Sequence, residues 1–135
     1  MEPPGLPCLY LTVDVSTARA NVSRLFIGLP YGPETLDEDT GPLLIDVGIP
    51  PGRAVDAHSV GGLAAVGLPV TYPLDTTGSL IPHRVCQAIG QSAYTAGLDG
   101  VSARSAAPNG GEELAWFPRD SAAASLGIRQ FAEWF

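Results

Sequence analysis

The chain has 135 residues, 45% of them hydrophobic, which fits a single globular domain over residues 1–135 and excludes a wholly disordered protein. Its seven basic residues are all Arg and are scattered along the chain; with 14 acidic residues the net charge is −7, which argues against a nucleic-acid-binding surface. The N-terminal residues lack a signal-peptide pattern, and glycines and prolines interrupt the longest uncharged stretch, so we expect a cytoplasmic protein without a membrane helix.

In chain order, the first predicted element is a strand over residues 9–13, where strand-forming residues follow a Pro/Gly-rich entry. Asp14 or Ser16 can then cap a helix over residues 17–25, whose apolar positions keep helical spacing. Residues 28–42 are rich in Pro, Gly and acidic side chains, which predicts a solvated loop.

A second strand is predicted over residues 43–47, and residues 53–80 carry so little periodicity that we expect irregular structure there. The clearest helix covers residues 82–96. Pro82 suits its first turn and Gly97 suits a left-handed stop after its last turn.

Val101 and residues 114–117 indicate two further strands joined by a loop at residues 105–111. Asp120 or Ser121 is predicted to cap a short last helix. The C-terminal aromatic residues are expected to pack on the core, with a subunit contact as the alternative: Phe131, Trp134 and Phe135. Interspersed strands and helices of this kind predict an α+β domain.

The residues that could carry chemistry give no strong pattern on their own. His58 and His83 are the only histidines, and neither lies at ligand spacing from a cysteine or an acidic pair, so no metal site is predicted. No glycine pattern of a nucleophile elbow surrounds a serine, and no lysine is available for a phosphate-binding loop.

Four stretches in order carry a resemblance to a known family. They are residues 3–11 (Pro-Pro-Gly-Leu-Pro-Cys-Leu-Tyr-Leu), 16–22 (Ser-Thr-Ala-Arg-Ala-Asn-Val), 87–90 (Gln-Ala-Ile-Gly), and 103–107 (Ala-Arg-Ser-Ala-Ala) with the Gly110-Gly111 pair and 114–117 (Leu-Ala-Trp-Phe). Together they resemble the RES family, the toxin half of the Xre–RES toxin–antitoxin systems. Their order and spacing hold from about residue 3 to about residue 118.

The resemblance implies a compact α+β domain with mixed and antiparallel sheets, flanking helices and an ADP-ribosyltransferase-like fold. The family's N-terminal strand would precede Met1, so we expect that strand to be lacking. The implied substrate is NAD, whose nicotinamide–ribose bond family members break by hydrolysis or phosphorolysis, or whose ADP-ribose they transfer to a protein. No metal is implied.

The family's functional positions carry over one by one. Its Tyr falls on Tyr10, which would face NAD, and its Ser falls on Ser105, which would orient the carboxamide or the ribose. Its Glu falls on Asn21, which can hydrogen-bond a ribose hydroxyl but supplies no negative charge. Its Arg would precede Met1, and Arg104 is a candidate to reach the pocket instead.

Each of these residues also has a structural interpretation. Tyr10 is equally well a half-buried strand aromatic, Ser105 a turn serine, and Arg104 a surface ion-pair residue. The function implied by the resemblance is an NAD-degrading toxin with an Xre-type antitoxin as partner. The alternative is a non-catalytic RES-fold module that binds an antitoxin or forms a homodimer.

Overall fold

The computed structural model describes Met1, residues 5–108 and residues 110–135, so Pro3 and Pro4 of the first family motif and Asn109 of the predicted loop lie outside the described residues. The strands are β1 (Leu9–Thr12), β2 (Leu44–Gly48), β3 (Ala54–Ala57), β4 (Gly100–Arg104), β5 (Glu112–Trp116) and β6 (Ala124–Arg129). The helices are α1 (Val15–Arg24), α2 (Val60–Ala65), α3 (His83–Thr95) and α4 (Phe131–Trp134), with a 3₁₀ turn at Pro33–Thr35.

The strands form two sheets. The larger sheet has the order β1-β5-β4-β3, and the smaller sheet pairs β2 with β6. Strands β3 and β4 are parallel, whereas β1–β5, β4–β5 and β2–β6 are antiparallel. The connection from β3 to β4 contains α2 and α3, as a parallel pair requires a long crossover. The predicted α+β class with mixed and antiparallel sheets and flanking helices is confirmed.

Both long helices begin or end where local chemistry predicts. The Asp14 carboxylate accepts a hydrogen bond of 2.7 Å from the backbone N–H of Thr17 and so caps α1. Gly97 takes a φ of 79° after α3, and the N–H of Leu98 bonds the carbonyl of Ala93 at 3.0 Å. This left-handed stop is the one that the sequence predicted.

The core lies between the larger sheet and the helices of its crossover. Ala57 and Val101 on neighbouring strands, Leu63 of α2 and Ala93 of α3 are all buried in one cluster with Phe117, which follows β5. Small residues on the strands and on α3 allow the helix backbone to approach the sheet closely. This packing fixes β4 and β5, from which the site described below is built.

The prediction of irregular structure over residues 53–80 is wrong in part, because β3 and α2 lie there. Strand β3 is only four residues long, and its parallel pairing with the buried β4 stabilises it rather than its own pattern. Ser59 caps α2 by accepting from Gly62 N at 3.0 Å. Because glycine has a low helix propensity, Gly61 and Gly62 make this short helix hard to predict from the sequence.

The helix predicted after Asp120 or Ser121 is also wrong. Those residues form a turn, in which Ser121 N donates to Pro118 O at 2.7 Å, and β6 follows. Strand β6 forms because it pairs with β2, and an ion pair of 3.1 Å between Arg129 and Asp46 reinforces the pairing. Tertiary pairing therefore overrides the local capping signal.

The C-terminal aromatic residues pack against their own chain, as predicted. Phe131 and Trp134 of α4 are buried, and the Trp134 indole N–H donates to Pro42 O at 2.9 Å. Arg19 of α1 donates from Nε to Trp134 O at 2.8 Å, so a hydrogen bond also joins α4 to α1. Phe135 remains 40% exposed.

Candidate functional site

Three of the predicted site residues come from separate segments and meet beside α1. Tyr10 lies in β1, Asn21 in α1, and Ser105 directly after β4. The Ser105 hydroxyl donates to Asn21 Oδ1 at 3.1 Å although the two residues are 84 positions apart. Tyr10 and Asn21 line the same cleft, so the structure brings all three to one side of the larger sheet.

The register of the sheet explains this convergence. Thr12 of β1 and Ala103 of β4 both pair with Glu113 of β5, and directly paired residues point to the same face. Tyr10 is two residues from Thr12, and Ser105 is two residues from Ala103, so the period of two places them on that face as well. Ser105 N donates to Gly111 O at 2.7 Å and continues the pairing beyond the end of β4.

Glu113 is a site residue that the sequence did not reveal. Asn21 Nδ2 donates to its Oε1 at 2.6 Å, and Glu113 lines the same cleft as Tyr10 and Asn21. A carboxylate therefore lies next to the position at which the sequence lacks one. The nearest signal in the sequence is the alternation along β5, but choosing Glu113 over Glu112 requires the pairing register.

A directed chain of hydrogen bonds runs through these residues. The N–H of Ala107 donates to Ser105 Oγ at 3.0 Å, Ser105 donates to Asn21 Oδ1, and Asn21 Nδ2 donates to Glu113. Because an ionised carboxylate can only accept, the Asn21 amide must present Nδ2 to Glu113 and Oδ1 to Ser105. Bonds that share one direction polarise one another. Ser105 is 1% exposed, so its hydroxyl is held in these hydrogen bonds.

A cleft of about 390 Å³ lies beside these hydrogen bonds, and we call it the α1 cleft. Its lining includes Tyr10, Asn21, Arg24 and Glu113. Tyr10 is 48% exposed there, and its hydroxyl accepts from the Met1 amine at 3.2 Å. Arg24, one turn after Asn21 on α1, brings a guanidinium to the same cleft. A larger cavity of about 570 Å³ opens between the two sheets, and Asn21, Arg24 and Glu113 do not line it.

A second cleft, of about 470 Å³, is lined by Ser105, Tyr72 and Arg104 among others. Arg104 donates from Nε to His58 O at 2.9 Å and from Nη1 to Val70 O, so its guanidinium ties β4 to two loops. The surface ion pair considered for Arg104 is replaced in the structure by these carbonyl contacts. Its candidate role in binding stays a prediction.

Tyr72 adds an uncharged phenol close to the polar chain. Its hydroxyl contacts Cys86 Sγ at 3.6 Å. Burial, this contact with Cys86 and the negative charge of nearby Glu113 together raise the pKa of Tyr72 above its ordinary value. Tyr72 therefore stays protonated at neutral pH and contributes a dipole rather than a charge.

Two classes of site find no support in the part of the chain that the structure describes. Within Met1, 5–108 and 110–135, no three or more His, Cys, Asp or Glu side chains group in a way that could hold a metal ion. Over the same residues, every helix is too short or too polar to cross a membrane.

The model of the RES domain family matches residues 1–134. The chain belongs to the RES domain family. The predicted family is thus confirmed, and three of the four motifs that suggested it carry Tyr10, Asn21 and Ser105. The remaining motif, at residues 87–90, lies in α3, where Gly90 is buried against the core.

A solved structure has the same fold. It is a chain of the M. tuberculosis MbcT–MbcA toxin–antitoxin complex, which superposes with a TM-score of 0.70 at 20% sequence identity and covers 98% of this chain and 74% of that chain. At this identity the likeness establishes the fold alone. No curated protein matches the chain.

Proposed function

We propose that this RES domain binds NAD and breaks its nicotinamide–ribose bond, acting as the toxin half of a toxin–antitoxin pair. The observation that carries the proposal is the contact of 3.1 Å between Ser105 and Asn21, with Tyr10 on the same cleft. Residues at three positions that the family uses are thereby joined in one polar site.

The side chains suit the parts of the substrate. Breaking the bond to nicotinamide develops positive charge on the ribose, as in glycoside cleavage. The half-exposed ring of Tyr10 offers an aromatic face for nicotinamide. Asn21, which lines the same cleft and is held by Ser105, offers its amide for a ribose hydroxyl or the carboxamide. Arg24 supplies a guanidinium that can hold the pyrophosphate by two hydrogen bonds.

The α1 cleft and the cleft lined by Ser105 also have the size of small-molecule sites. Their volumes of about 390 and 470 Å³ each lie within the usual range for small-molecule sites. The α1 cleft would take the nicotinamide riboside half, since Tyr10, Asn21 and Arg24 line it. Arg104 would then approach the rest of the substrate in the second cleft.

The test is release of nicotinamide from NAD by the purified protein, measured with and without phosphate so that hydrolysis and phosphorolysis are distinguished. We expect release above the buffer rate and a loss of at least tenfold for Tyr10→Ala. Tyr31→Ala is the matched control, because Tyr31 is 51% exposed and lies outside the α1 cleft. Release no faster than in buffer would refute the catalytic proposal.

An antitoxin is the partner that we propose, of the Xre type and in the cytoplasm. The structural neighbour comes from a toxin–antitoxin complex, which supports this choice. Co-expression with the protein encoded next to the gene, followed by affinity purification, should recover a stable complex that suppresses nicotinamide release. A free chain that sediments as a homodimer and binds no neighbour-encoded protein would contradict it.

One observation favours a second function. Asn21 occupies the position of the family's Glu, which fits the non-catalytic RES module considered from the sequence. That module would bind NAD or its partner without turnover. Calorimetric titration with NAD, run beside the nicotinamide assay, separates the two functions because only the enzyme gives both binding and release.

A further inference from the structure

The charge balance of the α1 cleft raises a chemical question within the proposed function. A ribosyl cation is stabilised by a nearby carboxylate, and an asparagine amide cannot replace that charge. Asn21 nevertheless does not stand alone, since its Nδ2 lies 2.6 Å from Glu113 Oε1. The carboxylate next to Asn21 thus lies on strand β5.

Glu113 is placed to act on a ligand as well as on Asn21. It is half-buried and lines the α1 cleft together with Tyr10 and Arg24. A carboxylate has about four lone-pair positions, and the bond to Asn21 occupies one of them. The remaining acceptor capacity lies beside the polar atoms that would hold the ribose.

The Glu113 carboxylate is also held in place by its partner on α1. The bond from Asn21 is made to the carboxylate and fixes its orientation. A structural acceptor for an amide would need no charge, so the charge is what a functional role would use.

We infer that Glu113 supplies the negative charge that stabilises the ribosyl cation in this protein, and that Asn21 positions Glu113. This inference rests on the proposed function. In the step concerned, the bond between ribose C1′ and the nicotinamide nitrogen breaks, and its electron pair leaves with neutral nicotinamide. Water or phosphate then forms a C1′–O bond, and a water nucleophile loses its proton to solvent. Glu113 forms no covalent bond.

The decisive variant is Glu113→Gln, which keeps an acceptor for Asn21 Nδ2 at nearly the same size and removes the charge. We expect kcat for nicotinamide release to fall about a hundred- to a thousandfold, while the Kd for NAD from calorimetry changes less than about threefold. A purely structural role would weaken binding and catalysis together.

The matched control is Glu112→Gln. Glu112 is the adjacent residue of β5, points to the opposite face, and accepts from the Ser102 hydroxyl. It should retain kcat within about twofold. A cooperative thermal unfolding transition, measured for both variants, would show that each one folds.

A relocation variant tests the role of the charge in a second way. In the double variant Asn21→Glu with Glu113→Gln, the carboxylate returns to α1 and the amide moves to β5. We expect kcat at least tenfold above that of Glu113→Gln alone. Wild-type protein that releases nicotinamide with an equally active Glu113→Gln variant would overturn this inference and leave the proposed function standing. A wild-type protein that releases none would overturn both.

Discussion

The substitution Gly111→Ala tests how α1 is held over the sheet. Gly111 directly precedes β5, and a Cβ added there would lie 2.8 Å from both Cβ and Cγ2 of Thr17, with Oγ1 closer still. Thr17 is completely buried and belongs to α1. The backbone of Gly111 lies outside the left-handed region, so alanine adds a steric contact without backbone strain.

The size of the effect follows from these distances. Carbon atoms in contact stay about 3.5–4.0 Å apart, so α1 must move away by roughly 0.7 Å or more. Overpacking of this kind costs about 1–3 kcal/mol, which corresponds to a fall in Tm of about 3–12 °C for a domain of this size. The same movement would stretch the bonds from Asn21 to Glu113 and Ser105, which now measure 2.6 and 3.1 Å.

Stretched bonds at the site should also slow catalysis. A misplacement of about 1 Å can cost about a hundredfold in rate, so nicotinamide release should fall between roughly ten- and a hundredfold. Differential scanning calorimetry and the release assay measure the two effects. Gly61→Ala is the control, because no atom lies within 4 Å of its added Cβ on α2. If Gly111→Ala left both Tm and nicotinamide release unchanged, close packing of α1 on Gly111 would be refuted.

Two further predictions concern stability. Hydrogen bonds from the Ser59 hydroxyl and backbone lower the pKa of Asp56 from 3.8 to about 2. The ionised Asp56 therefore stabilises the folded state fully above about pH 4, and this stabilisation is lost as the pH falls towards 2. Asp56→Asn should therefore lower the urea midpoint at pH 6 and flatten its decline between pH 4 and pH 2. Trp134→Ala should cost about 3–5 kcal/mol in urea unfolding, because the indole is 3% exposed and bonds Pro42. Phe135→Ala should cost clearly less; an equal loss would contradict this account.

The family motifs indicated three residues that the structure brings to one side of the larger sheet. Tyr10, Asn21 and Ser105 each stand in a recognisable segment, and the structure joins them through β1, α1 and the end of β4. The strong helices were also predictable, since Asp14 caps α1 and Gly97 ends α3. These features are encoded within a few residues of where they act.

The missed features depend on contacts between distant segments. Strand β3 exists because it pairs with β4, and β6 exists because it pairs with β2, although neither has a strong pattern of its own. The same is true of Glu113, whose role depends on its register with Thr12 and Ala103. A register shift of one residue would turn Glu112 towards α1 instead.

The pairing of Asn21 with Glu113 gives a physical reason for an amide at residue 21. If residue 21 were also a glutamate, two carboxylates would face each other where an amide and a carboxylate now lie 2.6 Å apart. Like charges at that distance cannot both ionise, so one of the two would hold a proton at neutral pH. The amide at residue 21 removes this conflict and donates a hydrogen bond that orients the remaining carboxylate. Asn21 and Glu113 are therefore complementary, because the amide on α1 donates to the carboxylate on β5 without competing for negative charge.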